Sequence, residues 1–92
     1  MRVRLSASAQ RDLARLPEFL APRTAVVAAR ARAALVSALD SLGELPRRGR
    51  PLDRGGLREV FVSFGRDGYV FRYRASENEV FVTRIFHARE RR

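Results

Sequence analysis

The chain of 92 residues lacks cysteine, tryptophan and lysine, and it contains one histidine. Without cysteine it has no disulfide framework and no thiolate for metal binding or catalysis, and one histidine argues against a transition-metal site. The missing lysine excludes a Walker-type phosphate loop. No apolar run is long enough to cross a bilayer, and the first eight residues lack a signal-peptide core. These absences predict a cytoplasmic protein with no metal, no cofactor and no membrane partner.

The charge of the chain is strongly unbalanced. Its 19 basic residues are all arginine, its acidic residues number ten, and the net charge is +9. A genome with GC-rich codons accounts for the absence of lysine but not for the excess of positive charge. That excess predicts an acidic partner, either a nucleic acid or an acidic protein segment. The length predicts one domain, residues 1–92, with a thin stability margin.

The last third of the chain has the pattern of three β-strands. LREVFVSF, YVFRYRA and VFVTRIF are rich in β-branched and aromatic residues, and the polar turns GRDG and SENE separate them. This spacing predicts two successive hairpins and therefore a three-stranded antiparallel meander. Strict alternation puts Val60, Val62 and Phe64 on one face of the first strand, Tyr69, Phe71 and Tyr73 on one face of the second, and Val80, Val82 and Phe86 on one face of the third, and apolar residues lie on both faces of the sheet. The same alternation places Ile85 and His87 on the opposite face.

The first part of the chain predicts a strand and a helix. RVRL, residues 2–5, is a short strand at a sheet edge or beside the C-terminal strand. Ser6 and Ser8 provide hydroxyl groups that can cap the following helix. Pro17 lies within the helical apolar pattern, so we expect a break near Leu16 with Pro17 opening a further turn.

A second helix and a long loop complete the pattern. Pro22 marks a boundary, and the alanine-rich residues 23–42 predict the longest helix, which Gly43 is expected to end as a left-handed C-cap. Residues 44–56 predict a basic loop, either a solvated connector or a contact segment. The element order is therefore β-α-α-β-β-β, an α+β fold with a helical hairpin packed on one face of the sheet. The other face, partly apolar and rich in arginine, predicts a partner site.

Few side chains of this protein can transfer protons at neutral pH. Arginine stays protonated, which leaves His87, the two tyrosines and the carboxylates. RNA cleavage by its own 2′-hydroxyl could use His87 or a glutamate as base, Tyr73 as acid, and a cationic clamp from Arg58, Arg72 or Arg84. The alternative for His87 is a structural role at the end of the last strand, and the alternative for the arginines is a solvated face.

Three segments together resemble toxins of the ParE/RelE superfamily from type II toxin–antitoxin modules. LSASAQRDLARLPEFL is similar to the opening strand and helix of that family, and GRPLDRGGLREV to its entry into the sheet. GYVFRYRASENEVFVTRIFHARERR is similar to its closing strands and terminal histidine–arginine ending. The resemblance covers nearly the whole chain. It implies a toxin that a cognate antitoxin with an acidic, flexible C-terminal segment neutralises.

The superfamily has two activities on one fold. ParE-type members poison DNA gyrase, whereas RelE-type members cut messenger RNA in the ribosome. Nuclease members commonly carry an arginine three residues before the middle-strand tyrosine, where this chain has Val70, and they use lysines for which Arg48 and Arg50 could substitute. The nuclease branch often ends in a tyrosine or histidine that transfers protons, and His87 matches that position, but ParE-type members carry a histidine there too. The ending IFHARERR is closer to ParE.

The resemblance therefore favours a ParE-like gyrase inhibitor that is not an enzyme, with a RelE-like ribosome-dependent endonuclease as the alternative. A basic domain that binds nucleic acid alone is a third hypothesis. Arginine suits contact with carboxylates because its planar group pairs bidentately. The residues predicted to contact the target or the antitoxin are Arg47, Arg48, Arg50, Arg58, Arg72, Arg74, Arg84, His87 and Arg89.

Overall fold

The computed structural model describes residues 1–19 and 24–90, so the predicted boundary at Pro22 lies outside the described residues. The elements are β1 Arg2–Leu5, α1 Ala7–Arg15, a 3₁₀ turn Leu16–Glu18, α2 Ala25–Glu44, β2 Arg50–Pro51, β3 Arg58–Phe64, β4 Asp67–Ala75 and β5 Glu79–His87. The strands form one sheet in the order β1-β5-β4-β3-β2. β1 is parallel to β5, and the other pairs are antiparallel. The α+β fold is confirmed, with the short β2 added inside the predicted loop.

The first helix ends where the sequence predicts. The Ser6 side chain caps α1 by accepting a hydrogen bond from the amide of Ala9, at 3.0 Å. The α-helix stops at Arg15, and Pro17 lies in the 3₁₀ turn that follows. The break is confirmed because proline provides no amide hydrogen to continue the helix.

The second helix has the predicted length but is shifted two residues toward the C-terminus, to 25–44 in place of 23–42. Thr24 caps its start, and the helix passes through Gly43 to end at Glu44. A Cβ on Gly43 would lie 2.6 Å from the carbonyl oxygen of Met1 and 3.2 Å from the Val3 side chain. The C-cap prediction for Gly43 was therefore wrong, because the glycine lets α2 approach β1 closely. In residues 1–19 and 24–90, no helix is long and apolar enough to span a membrane.

The core lies between the helices and one face of the sheet. Its largest fully buried side chains are Tyr69, Tyr73, Phe71, Leu16, Leu35, Leu42, Ile85, Val80 and Val82. The face of β4 that carries Tyr69, Phe71 and Tyr73 contributes to this core, and Val60, Val62 and Phe64 of β3 pack against it.

A β-bulge interrupts the pairing of β4 with β5. Tyr73 pairs with Val82 and Arg72 pairs with Arg84, so two residues of β4 oppose three of β5. The extra residue is Thr83, whose hydroxyl donates to the Arg72 carbonyl at 3.1 Å. Such a bulge shifts the side-chain alternation by one position.

This shift corrects the predicted faces of the last strand. Val80 and Val82 lie in the core, and beyond the bulge Ile85 and His87 also face the core, whereas Phe86 faces away from it. The prediction failed at these three residues because strict alternation assumes no extra residue in the strand.

Candidate functional site

The face of the sheet that points away from the helices is the candidate site, and we call it the open face. Cross-strand register places side chains of adjacent strands side by side on this face. Its members are Arg4, Glu59, Phe61, Val70, Arg72, Arg74, Phe81, Arg84 and Phe86. Arginine and aromatic side chains thus share one surface, as the sequence predicts.

Glu59 holds two arginines near the middle of the open face. Its carboxylate accepts from Arg72 at 2.9 Å and from Arg50 at 3.3 Å. The Arg72 side chain is 21% exposed, whereas that of Arg50 is 72% exposed. Arg72 is therefore held in place, and Arg50 is largely free to meet a partner from solvent.

The aromatic side chains of this face differ in exposure. The guanidinium groups of Arg72 and Arg84 lie over the Phe86 ring, 5.2 and 4.6 Å from its centre, and they cover it. Val70 is also buried. Phe61 is 56% exposed and is the main apolar group that this face presents to solvent.

A second arginine–aromatic group lies at the β1 end of the face. The Arg4 guanidinium lies 4.3 Å from the centre of the Phe81 ring and forms an ion pair with Glu79 at 3.0 Å. Arg74 is exposed, and its Nε donates to the Gly55 carbonyl at 2.8 Å. The cationic surface thus extends from β1 to the loop before β3.

Asp12 anchors α1 to the edge of β5. It is 3% exposed, and its carboxylate accepts from the Ile85 amide at 2.9 Å and from Arg84 Nε at 2.7 Å. Arg15 donates to the same carboxylate at 3.0 Å and also pairs with Glu90 at 2.6 Å. Arg84, which the sequence predicts as a contact residue, is therefore held by an internal carboxylate.

Asp12 is not among the site residues predicted from the sequence. The signal was available, since Asp12 lies three residues after Ala9 and four before Leu16 on the apolar side of the helix. Burial raises the pKa of the Asp12 carboxyl, but hydrogen bonds from Arg84, Ile85 and Arg15 outweigh it and hold the pKa below its ordinary value.

The lowered pKa of Asp12 predicts a loss of stability in acid. Its stabilising contribution is complete above the pKa of the unfolded chain and disappears as the pH falls through the lower folded-state pKa. Below about pH 4, we expect the free energy of unfolding to decrease less steeply with falling pH in Asp12→Asn than in the wild type. Denaturant titrations between neutral pH and pH 2.5 would measure this. The exposed Asp40, changed to Asn, is the control, and equal slopes for both variants would contradict the assignment.

Tyr73 is buried and holds the loop before β2. Its hydroxyl accepts from the Gly49 amide at 2.9 Å. Arg58 donates to the Gly49 carbonyl at 2.7 Å and to the Arg47 carbonyl at 3.4 Å. Both predicted site residues, Tyr73 and Arg58, therefore bind the chain's own loop and hold it beside the sheet.

His87 lies in the core, whereas strict alternation along β5 places it on the face opposite Val80 and Val82. It is 2% exposed, and its ring lies 5.2 Å from the Phe19 ring and 5.5 Å from the Tyr69 ring. Its Nδ1 accepts from the Arg89 amide at 3.0 Å. The histidine thus stabilises the end of β5, which matches the structural alternative considered above.

The remaining predicted contact residues lie on the surface. Arg47 is exposed, and Arg48 is exposed with one hydrogen bond to Ser41 at 2.7 Å. The Arg89 side chain is 68% exposed, with Nε 3.6 Å from Asp67. Arg50 and Arg72 therefore meet at Glu59 on the open face, and Arg48 lines the same depression as Glu59. His87 lies apart from them, in the core.

Comparisons with known proteins identify relatives along nearly the whole chain. The family described as the ParE toxin of the type II toxin–antitoxin system parDE matches residues 3–92. Toxin RelE1 of Caulobacter vibrioides is 44% identical, over 98% of this chain and 96% of its own. Toxin RelE3 of the same organism is 38% identical, over 98% of this chain and 97% of its own.

Two solved structures share the fold. A chain of the chromosomal ParDE system from P. aeruginosa matches with a TM-score of 0.73 and 20% identity, covering 96% of both chains. A chain of the toxin–antitoxin complex RelBE2 from Mycobacterium tuberculosis matches with a TM-score of 0.64 and 29% identity, covering 94% of this chain and 95% of the other.

Proposed function

Since the chain belongs to the ParE toxin family of type II toxin–antitoxin systems, we propose that it acts by binding DNA gyrase and that a cognate antitoxin neutralises it. The toxin class follows from the family. The choice of gyrase over messenger RNA rests on the geometry of the side chains that could transfer protons.

The choice of gyrase over messenger RNA rests on one observation. The only histidine and both tyrosines of the chain lie on the core face, each at most 2% exposed. An RNA strand on the open face would meet arginines and the Glu59 carboxylate, which Arg72 and Arg50 already bind. General acid–base cleavage needs both a proton donor and an acceptor within hydrogen-bond reach of the phosphate. A surface that combines positive charge with the exposed Phe61 suits binding to another macromolecule.

The proposed antitoxin is an acidic protein with a flexible segment that orders on binding. The exposed arginines of the open face and a net charge of +9 favour such a partner over a neutral one. The structural relatives named above come from the toxin–antitoxin systems ParDE and RelBE2, and RelBE2 was solved as a complex. A disordered acidic segment can cover a large cationic surface as it folds.

A ribosome-dependent endonuclease is the second candidate function. The observation that favours it is that both Caulobacter relatives carry the name RelE. Under this alternative, Arg48, Arg50 and Arg72 would bind the phosphates, and Tyr73 would have to leave its bond with Gly49 to act as an acid.

Tyr73→Phe separates the two candidates. We expect purified protein to inhibit gyrase supercoiling and Tyr73→Phe to retain this inhibition, because Tyr73 is fully buried and the bonds from Arg58 to the Gly49 and Arg47 carbonyls still hold the loop. If Tyr73 is a catalytic acid, message cleavage on translating ribosomes falls roughly 10²–10⁴-fold in the same variant.

Arg74→Ala, on the open face, is expected to weaken gyrase inhibition about tenfold. The control is Arg11→Ala, on α1.

Circular dichroism and thermal unfolding of each variant would check that the fold is intact. Cleavage of messages by the wild type without any effect on gyrase would end the gyrase proposal. Equal inhibition by Arg74→Ala and Arg11→Ala would show that gyrase does not bind at the open face.

A further inference from the structure

The outer edge of β3 is paired over only part of its length. β2 pairs with β3 at Arg58 and Glu59 and then ends. Within the described residues, β2 is the only strand on this side of β3, so none accompanies Phe61 and Ser63. Both residues are exposed. An unpaired strand edge presents backbone donors and acceptors to any segment that can pair with it.

The hairpin that joins β3 to β4 decides which backbone groups face outward. Phe64 pairs with Asp67 across the two-residue turn 65–66, where Gly65 has a φ of 61°. The residues that flank such a turn form a hydrogen-bonded pair, and bonded and non-bonded pairs then alternate along the ladder. Val62 and Val60 therefore direct their amide and carbonyl groups toward β4. Phe61 and Ser63 direct theirs outward.

Two close approaches agree with this alternation. The Glu59 carbonyl lies toward β2, since a Cβ on Gly49 would be 3.0 Å from it. The Val62 carbonyl lies toward β4, since a Cβ on Gly68 would meet it. Phe61 and Ser63 lie two and four residues after Glu59 in the same strand. Their amide and carbonyl groups therefore point to the same side as those of Glu59, the side on which β2 pairs.

An open depression adjoins this edge on the open face. Its volume is about 240 Å³, and its lining residues are Arg48, Arg50, Glu59, Val60, Phe61 and Val70. Val60, Phe61 and Val70 make part of this lining apolar, and the exposed residues Arg48 and Arg50 add positive charge to it. The depression can therefore receive an apolar side chain and a neighbouring carboxylate from one bound segment.

The charge at this edge decides between the possible occupants. A second copy of the chain would place Arg48, Arg50 and Arg66 of one copy near those of the other, and each copy carries a net charge of +9. Such repulsion between like charges disfavours edge-to-edge self-pairing. An RNA strand cannot continue a ladder of peptide hydrogen bonds. An extended acidic peptide satisfies both the backbone groups and the arginines.

We infer that an extended, acidic segment of the antitoxin adds to the sheet as a strand beside β3, pairing with the backbone of Phe61 and Ser63. Alternate side chains of this segment enter the depression beside Phe61, and its carboxylates pair with Arg48 and Arg50. The inference rests on the proposed antitoxin partner and specifies where that partner binds.

Amide hydrogen exchange tests the inference with a built-in control. In the free protein, the amides of Val60 and Val62 exchange slowly and those of Phe61 and Ser63 exchange fast. We expect the complex with the co-expressed cognate antitoxin to slow exchange at the amides of Phe61 and Ser63 at least tenfold. The amides of Val60 and Val62 stay slow in both states. NMR exchange rates for the four residues give the pattern directly.

Phe61→Ser tests the depression separately. We expect it to weaken the complex roughly 10- to 100-fold, because the edge loses its main apolar contact. Val26→Ser is the control, since Val26 is similarly exposed, at 60%, but lies on α2. The two variants should have the same melting temperature when free.

The outcomes separate the inference from the proposed function. A tight complex without slower exchange at Phe61 and Ser63 overturns the inference and leaves the antitoxin proposal standing. The absence of any complex overturns both. Slow exchange at these amides in the free protein, together with a dimer in sedimentation, assigns the edge to a second copy and overturns the inference.

Discussion

Replacing Asp12 with alanine is expected to lower the free energy of unfolding by about 3 kcal/mol. The substitution leaves the Ile85 amide, which lies at the buried edge of β5, without its acceptor at 2.9 Å. It also releases Arg84 and Arg15, whose side chains are 42% and 38% exposed and can regain water. The loss therefore comes mainly from the unsatisfied amide and from the detachment of α1, and less from the ion pairs. Urea titration followed by circular dichroism would measure it.

Asp40→Ala is the matched control for this substitution. Asp40 is exposed on α2, and surface changes of this kind shift stability by about 0.5 kcal/mol or less. A loss at Asp12 no larger than the loss at Asp40 would contradict the anchoring role. A loss of 3 kcal/mol is a large share of the stability of a small domain. Asp12→Ala is thus also expected to reduce the amount of folded toxin in cells.

Local patterns predicted most of the fold because they depend on neighbouring residues. The alternation of Tyr69, Phe71 and Tyr73 follows from the geometry of a strand, and the break at Pro17 follows from the chemistry of proline. The bulge at Thr83 was not predictable, because it depends on how β5 matches β4. That single extra residue moved His87 into the core and Phe86 onto the open face. The prediction of the site depended on this detail more than the prediction of the fold did.

The candidate site was predictable in its charge but not in its ion pairs. An excess of arginine in the strands indicates a cationic face whatever the register. Which arginines remain exposed depends on carboxylates far away in sequence, such as Asp12, which is 72 positions from Arg84. Glu59 binds Arg72 in the same way, across the β3–β4 pair. Arg50 and Arg74 remain exposed, and they now lead the predicted contact residues.

Gly49→Ala is expected to lower the free energy of unfolding by about 2 kcal/mol and to displace the loop that carries Arg48 and Arg50. A Cβ at this position would lie 2.6 Å from the Tyr73 hydroxyl, 2.9 Å from its ring and 3.0 Å from the Glu59 carbonyl. The buried ring and the strand backbone cannot move aside easily, so the loop must move. Its bonds to Tyr73 and Arg58 then lengthen.

A double-mutant cycle with Tyr73→Phe tests this mechanism. Removing the hydroxyl eliminates the shortest of the three close approaches, so Gly49→Ala should be less destabilising in the Tyr73→Phe background than in the wild type. We expect a coupling of about 1 kcal/mol, in the range found for residues in direct contact. Denaturant titration of the four proteins gives the coupling. If the two changes in unfolding free energy simply add, the alanine acts through the backbone of the loop alone. The contact between Gly49 and Tyr73 would then not be what holds Arg48 and Arg50 at the edge of the sheet.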